Sequence, residues 1–215
     1  VQATGENGIL LNVVAKNFLK EDQLQKKLFH EDLLSKINLI QKEYLDIVLE
    51  RNFLSDILTD KSLENIFLIG FIKIYFPGSK IILVDRDIKN VFWSIYKTNF
   101  LTNYMNWTYD KHEIINYYKI YKELLKFWMT STSKDIYKIN YEKLIDNQDF
   151  EIKRLINFCG LKWDPNCLNP QNNFSPIKTA SILQARKAIY SSSKNSIDNY
   201  SIYLKDAFKL LDNKI

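Results

Sequence analysis

Residues 80–87 read Lys-Ile-Ile-Leu-Val-Asp-Arg-Asp, an unbroken aliphatic run that ends abruptly in alternating charge. A short, β-branched, uninterrupted run of this kind is how a parallel strand covered on both faces reads. A helix is predicted to follow it, from residue 89 to about 98. Working outward, residues 63–76 have helical spacing and stop at Pro77-Gly78, and the mostly apolar run 53–59 before them ends at Asp60-Lys61 as a strand would. Downstream, a long helix over 113–129 leads to a strand over 135–141 and an amphipathic helix over 150–158. Three β-loop-α units predict an α/β fold, a parallel sheet flanked by helices.

Helices are also predicted over 9–19 and 31–51, the second burying Leu33, Leu34, Ile37, Ile40, Tyr44, Leu45, Ile47 and Val48 on one face. Tyr117, Tyr118, Phe127 and Trp128 read as core packing. Pro165, Pro170 and Pro176 break the last third into loops, and a closing helix over 200–211 is expected to fold back over the sheet.

With 215 residues, 46% hydrophobic and only 5 Gly and 4 Pro, the chain can bury a substantial core, which excludes disordered and collagen-like classes. The formal charge of +5 suits an anionic ligand but falls short of a dedicated nucleic-acid binder. Cys159 and Cys167 have no metal-ligand spacing, and His30 and His112 lack partners at such spacing, so no metal site is expected and a reduced, cytoplasmic setting is. No apolar run reaches the roughly 18 residues of a membrane span. The chain begins at Val1 with neither Met nor a signal sequence, which reads as one domain over 1–215, truncated at its N-terminus.

In open parallel sheets, ligands bind beyond the carboxyl ends of the strands. The residues there are Asp60-Lys61, Arg86-Asp87 and Tyr141-Glu142, each of which also has the plain reading of a solvated strand end or helix cap. Arg86 stands out. Only four of the 30 basic residues are Arg, in a composition rich in Lys, Asn and Ile as an AT-rich genome imposes. Its guanidinium is a planar fork matched to phosphate. Ser94, eight residues on, falls two turns into the next helix, where its hydroxyl either shares an anion with Arg86 or packs against the sheet. No GxxxxGK[ST] sequence occurs, so a P-loop kinase or NTPase is excluded.

The stretch NIFLIGFIKIYFPGSKIILVDRDIKNVFWSIYKTNF, residues 65–100, resembles the nucleotide-binding core of sulfotransferases, above all the bacterial tetratricopeptide-containing and protein-tyrosine sulfotransferases. Their pattern is close to DKxPxNFxxxGxIxxxFPxAKIIxxxRDPxDxxxSxYxxxF, which begins here at Asp60-Lys61. GENGIL upstream and YYKIYKELLKFW, IYKINYEKLI, FCGLKWDPNCL and TASILQARKAIYSSS downstream follow in the family's order, so the likeness covers nearly the whole chain. The resemblance implies a P-loop-NTPase-like sulfotransferase fold and transfer of a sulfonyl group from 3′-phosphoadenosine 5′-phosphosulfate (PAPS) to a hydroxyl of a peptide, glycan or small molecule. It implies no metal, no nucleic acid and no membrane, and tetratricopeptide repeats upstream in a parent protein.

By the same resemblance Arg86 and Ser94 take the 3′-phosphate contacts, and Tyr141 lies near the adenosine. Glu6 takes the place of the general base, a carboxylate suited to accepting the acceptor's proton. Lys61 and Ser181 are the donors that stabilise charge in the transition state, and Arg186 has a phosphate-side or structural role.

The sequence departs from the family at three places. The first strand and its PRSGTT-type loop, which cradle the 5′-phosphosulfate, have no counterpart in the four residues before Gly5, so the chain alone is expected to bind donor weakly and not to turn over. RDPxD reads RDIKN, with Ile88 and Asn90 at the Pro and Asp positions. SSVGRW reads SSSKNSI, with Ser196 and Ile197 at the Arg and Trp positions and Lys194 the nearby substitute cation. The alternative to an enzyme is a sulfotransferase-like module that binds a nucleotide or a partner without turnover.

Overall fold

The computed structural model describes residues 1–18, 30–100, 103–172 and 197–212. It is helix-rich with small parallel sheets and divides into two compact units, one spanning Val1–Ser79 and the other beginning at Lys80.

In the first unit β1 (Gln2–Gly5) leads into α1 (Ile9–Phe18), and α2 (His30–Glu50) into β2 (Leu58–Asp60). A 3₁₀ segment, Leu63–Leu68, then turns into α3 (Ile69–Tyr75). The two strands run parallel, with Gln2 opposite Leu58, Ala3 opposite Thr59 and Gly5 opposite Asp60, a bulge falling between Ala3 and Gly5. The four residues of β1 carry no hydrophobic alternation, and the sequence does not announce them as a strand. Ile9, Leu10, Val13 and Val14 of α1 pack with Ile40 and Val48 of α2 and with Leu68 and Tyr75.

The strand expected over 53–59 is reduced to β2, and the reason is local. Asn52 adopts φ 58° and α2 ends in a Schellman turn: Asn52 N–H donates to the Leu49 carbonyl and Phe53 N–H to that of Val48, with Phe53 packed on the same core as Val48. The Gln2 side-chain oxygen then accepts from the N–H groups of Leu54 (3.0 Å) and Ser55 (3.3 Å), so that backbone is committed before β2 begins. On α2, Ile40 and Val48 are buried as expected, whereas Leu45 is 48% exposed; the side chains of Leu33 and Leu34 lie outside those described.

The second unit contains β3 (Ile81–Asp85), α4 (Ile88–Tyr96), a 3₁₀ segment Asn103–Tyr109, α5 (Lys111–Ser131), β4 (Ile136–Asn140), α6 (Tyr141–Asp146) and α7 (Gln148–Phe158). Later come 3₁₀ turns at Pro165–Leu168, Pro170–Asn172 and Asp198–Leu204, and α8 (Lys205–Asp212). β3 and β4 are parallel and in unbroken register from Ile81 opposite Ile136 to Asp85 opposite Asn140.

Within its own unit the burial of β3 alternates, leaving Ile82 42% and Val84 58% exposed, where the sequence predicts cover on both faces. The closing segment also differs from expectation: Phe208 and Leu211 of α8 pack with Phe92 of α4 and Ile114 and Ile115 of α5, and Tyr200 stacks on Trp93 at 4.2 Å. It covers helices and not the sheet, and Ile197, at the position where the resemblance has Trp, joins that core. Tyr117 and Phe127, expected in the core, are 43% and 56% exposed, Tyr117 stacking on Trp107.

Candidate functional site

Parallel pairing in register makes two strands end side by side, so the first residue after each strand meets its counterpart. In the first unit the last rung is Gly5 opposite Asp60, and the Lys61 N–H extends it by donating to the Gly5 carbonyl at 3.0 Å. The next side chains, Glu6 and Lys61, form an ion pair through Glu6 Oε1.

This turn is held from behind. Gly5 and Gly8 have φ of 75° and 60°, backbone that glycine adopts without strain, and they bend the chain on either side of Glu6-Asn7. Buried Ser62 accepts the Gly8 N–H at 3.0 Å and donates its hydroxyl to Asp60 Oδ1 at 2.7 Å; Asn7 Oδ1 accepts the Ile9 N–H at 2.8 Å, closing the start of α1. Both members of the Glu6–Lys61 pair are substantially exposed, so the pair contributes little to stability and its interest is chemical.

In the second unit the last rung is Asp85 opposite Asn140, and the residues after it, Arg86 and Tyr141, meet with the guanidinium 4.7 Å from the ring centroid. Asp87 caps α4 by accepting the Asn90 N–H at 3.0 Å, and Asn140 caps α6 by accepting the Lys143 N–H at 2.8 Å. The Asp87 N–H donates to Glu142 Oε1 at 3.0 Å, and Lys138 pairs with Asp85 at 2.9 Å. Tyr118 and Tyr121 of α5 border the same end: burial first, and then the Asp85 carboxylate, pushes both phenols up, with Asp87 adding to the effect at Tyr118.

Sequence reasoning thus named one residue of each contact and its partner: Glu6 with Lys61, and Arg86 with Tyr141. Ser94 lies half-buried in α4, its carbonyl accepting the Thr98 hydroxyl at 2.6 Å. At about 1.5 Å of rise per residue it stands roughly 10 Å along the axis from the cap at Asp87. Ser181, Arg186 and Lys194 lie outside the described residues, as does Ser196.

Sequence reasoning overlooked the parts played by Glu142 and Ser62. Both are ordinary polar residues at strand ends, and the only available signal was their adjacency to Tyr141 and Lys61.

Among the described residues no group of three His, Cys, Asp or Glu side chains could hold a metal, and no helix is long and apolar enough to cross a membrane. Cys159 and Cys167 are free thiols, and burial raises the pKa of Cys159 despite Lys80 nearby. A cavity of about 220 Å³ lined by Tyr96, Tyr109, Asp110, Lys111 and His112 contains none of the expected site residues.

Residues 11–165 match the family model described as "Sulfotransferase family", a stretch that includes Lys61, Arg86, Ser94, Tyr141 and Glu142. The chain is also 30% identical over 170 residues to an uncharacterized protein of Aquifex aeolicus (strain VF5), the aligned part covering 78% of this chain and 22% of that protein. It therefore spans about a fifth of the length of that relative. A family match extending over more than half of the chain, and including both sets of strand-end residues but for Glu6, settles the assignment: the chain belongs to the sulfotransferase family.

Proposed function

We propose that a longer polypeptide containing this chain carries sulfonyl transfer from PAPS to a hydroxyl of a peptide, glycan or small molecule, with residues 1–215 serving as one sulfotransferase-like domain in the cytoplasm that does not turn over alone. The observation that carries the reading is the Arg86 guanidinium stacked beside Tyr141 at the carboxyl end of a parallel strand pair. A planar cation at that rim is suited to a phosphate, and an aromatic ring beside it to the adjoining nucleoside. Arg86 with Ser94 grips the 3′-phosphate, and Tyr141 borders the adenosine. Arg186 and Lys194 are assigned to the phosphate side, Lys194 in place of the family Arg that is Ser196 here.

Bound PAPS supplies an activated sulfonyl group. Glu6 takes the proton from the acceptor hydroxyl as its oxygen forms the new bond to sulfur. Lys61 and Ser181 stabilise negative charge on the sulfonyl oxygens and on the bridging oxygen, which keeps the electron pair of the breaking S–O bond. The products are a sulfate ester and adenosine 3′,5′-bisphosphate. Glu6 and Lys61 hold each other before an acceptor arrives, so an incoming hydroxyl has to share that contact.

The test is PAPS-dependent sulfonation by the longer polypeptide, in wild type and in Arg86→Ala and Glu6→Ala. Transfer that is lost in both variants supports the reading, and wild-type transfer unaffected by either contradicts it. Tetratricopeptide repeats in a longer polypeptide, with acceptor choice residing there, belong to the same proposal. The second reading, a binding module without turnover, is favoured by Ser196 and Ile197 standing at the family's Arg and Trp positions. Bisphosphate binding without any PAPS-dependent transfer by the longer polypeptide would select it.

A further inference from the structure

The N-terminus of α4 is capped in an unusual way. In a capping box the N-cap side chain accepts the N3 backbone N–H, and the N3 side chain, Glu or Gln, reaches back to accept the N-cap N–H. Here Asp87 performs the first half, but the N3 residue is Asn90, whose side-chain amide donates to the same Asp87 carboxylate at 3.0 Å. The Asp87 N–H is instead satisfied from the neighbouring strand-helix corner, by Glu142 Oε1 at 3.0 Å.

The consequence falls on Arg86. One flank, Asp85, is fixed by register with Asn140, and the other, Asp87, is tied by its N–H to Glu142. Glu142 follows Tyr141 directly in the first turn of α6, so the same corner that supplies the ring under the guanidinium also holds the backbone that aims it.

From this split capping box we infer that Glu142 is the positioning residue of the anion-binding arginine: its carboxylate locks the β3–α4 corner onto the β4–α6 corner and so keeps the Arg86 guanidinium over Tyr141. The consequence for ligand binding rests on the donor-site reading above, whereas the geometric consequence does not.

The experiment therefore has two readouts. The first, independent of any ligand, is the upfield ring-current shift that Tyr141 imposes on the Arg86 side-chain proton resonances. The second is the Kd for adenosine 3′,5′-bisphosphate by titration calorimetry. Three variants separate the explanations. Glu142→Gln retains an oxygen acceptor at the same reach. Glu142→Asp keeps a carboxylate in the first turn of α6, and its benefit to that short helix, but withdraws the acceptor by one methylene. Glu142→Ala removes both.

The Gln variant is expected to keep the ring-current shift and near wild-type affinity. The Asp and Ala variants are expected to lose the shift and bind the bisphosphate about tenfold more weakly, as loss of one hydrogen bond to a charged acceptor implies. An Asp variant that folds and keeps the wild-type shift overturns the inference, as does a Gln variant no better than Ala. Loss of the shift in Asp and Ala, with the bisphosphate bound by no variant including wild type, upholds the positioning role and overturns the donor reading alone.

Discussion

Asp85 and Asn140 are the last register partners of the parallel pair β3–β4, and the residues that follow them, Arg86 and Tyr141, face each other with guanidinium and ring 4.7 Å apart. Gly5 and Asp60 stand in the same relation in the other unit and deliver Glu6 to Lys61. Each contact is thus a product of strand register: slipping either pair by one residue would exchange which side chains emerge together. The following expectations depend on that geometry.

Tyr141 is expected to act through its ring. Tyr141→Phe should bind adenosine 3′,5′-bisphosphate nearly as well as wild type, whereas Tyr141→Ala should weaken binding about three- to thirtyfold, the range of a cation–π contact that is partly desolvated. Titration calorimetry on the two variants decides it, and equal losses in both would assign the effect to the hydroxyl.

Glu6 and Lys61 are expected to affect turnover more than donor affinity. Glu6→Gln and Lys61→Ala should each lower kcat by about a hundredfold or more, as removal of a general base or of a charge-stabilising donor does, with the KM for PAPS little changed. A steady-state sulfonation assay of the longer polypeptide measures both constants.

Ser62 is expected to matter for stability. Its side chain accepts the Gly8 N–H and donates to Asp60 from a buried position, so Ser62→Ala leaves the part-buried Gly8 N–H without its acceptor and removes one of the two hydrogen bonds to Asp60 Oδ1. Asp60 Oδ1 keeps the Ser62 backbone N–H at 2.9 Å, so a loss of about 1 kcal/mol should follow from the Gly8 N–H, which for a chain of this size lowers Tm by about 2–4 °C in a thermal melt.

Alkaline pH should destabilise the first unit. Burial pushes Tyr44 and Tyr75 up to about 12, with the Asp60 carboxylate adding to the effect at Tyr44. Because the folded value lies above the unfolded value of about 10, the stabilisation is fully present below pH 10. It is lost between about 10 and 12, where the unfolded chain ionises first, at about 1.4 kcal/mol per pH unit for each group. Tyr75→Phe removes a buried hydroxyl that has no hydrogen-bond partner among the described residues. It should leave stability at pH 7 equal or higher and make the decline above pH 10 shallower, as denaturant titrations across that range would show.

The residues at the strand ends were legible because they are written in short, local signals. The run from Lys80 to Asp87 marks β3 and its rim without ambiguity, and the scarcity of arginine singles out Arg86. What could not be read depends on pairing across distance. β1 is a strand only because β2 lies beside it, and β2 is short because a Schellman turn at Asn52 and the Gln2 side chain commit the preceding backbone. Glu142 was visible as a polar residue but not as the missing half of a capping box, since its partner is the backbone N–H of a residue 55 positions away. The exposure of Ile82 and Val84 was hidden for the same reason: a hydrophobic run does not state which of its faces another element covers.

The central claim, that Arg86 reads the 3′-phosphate of a nucleotide donor, is tested most directly by comparing adenosine 3′,5′-bisphosphate with adenosine 5′-phosphate in equilibrium titrations of wild type and Arg86→Ala. The account predicts that wild type prefers the bisphosphate by about ten- to a hundredfold, the worth of one charge-assisted contact, and that Arg86→Ala erases the preference while leaving the monophosphate affinity almost unchanged. Equal binding of the two nucleotides by wild type, or a preference that survives in Arg86→Ala, would contradict it.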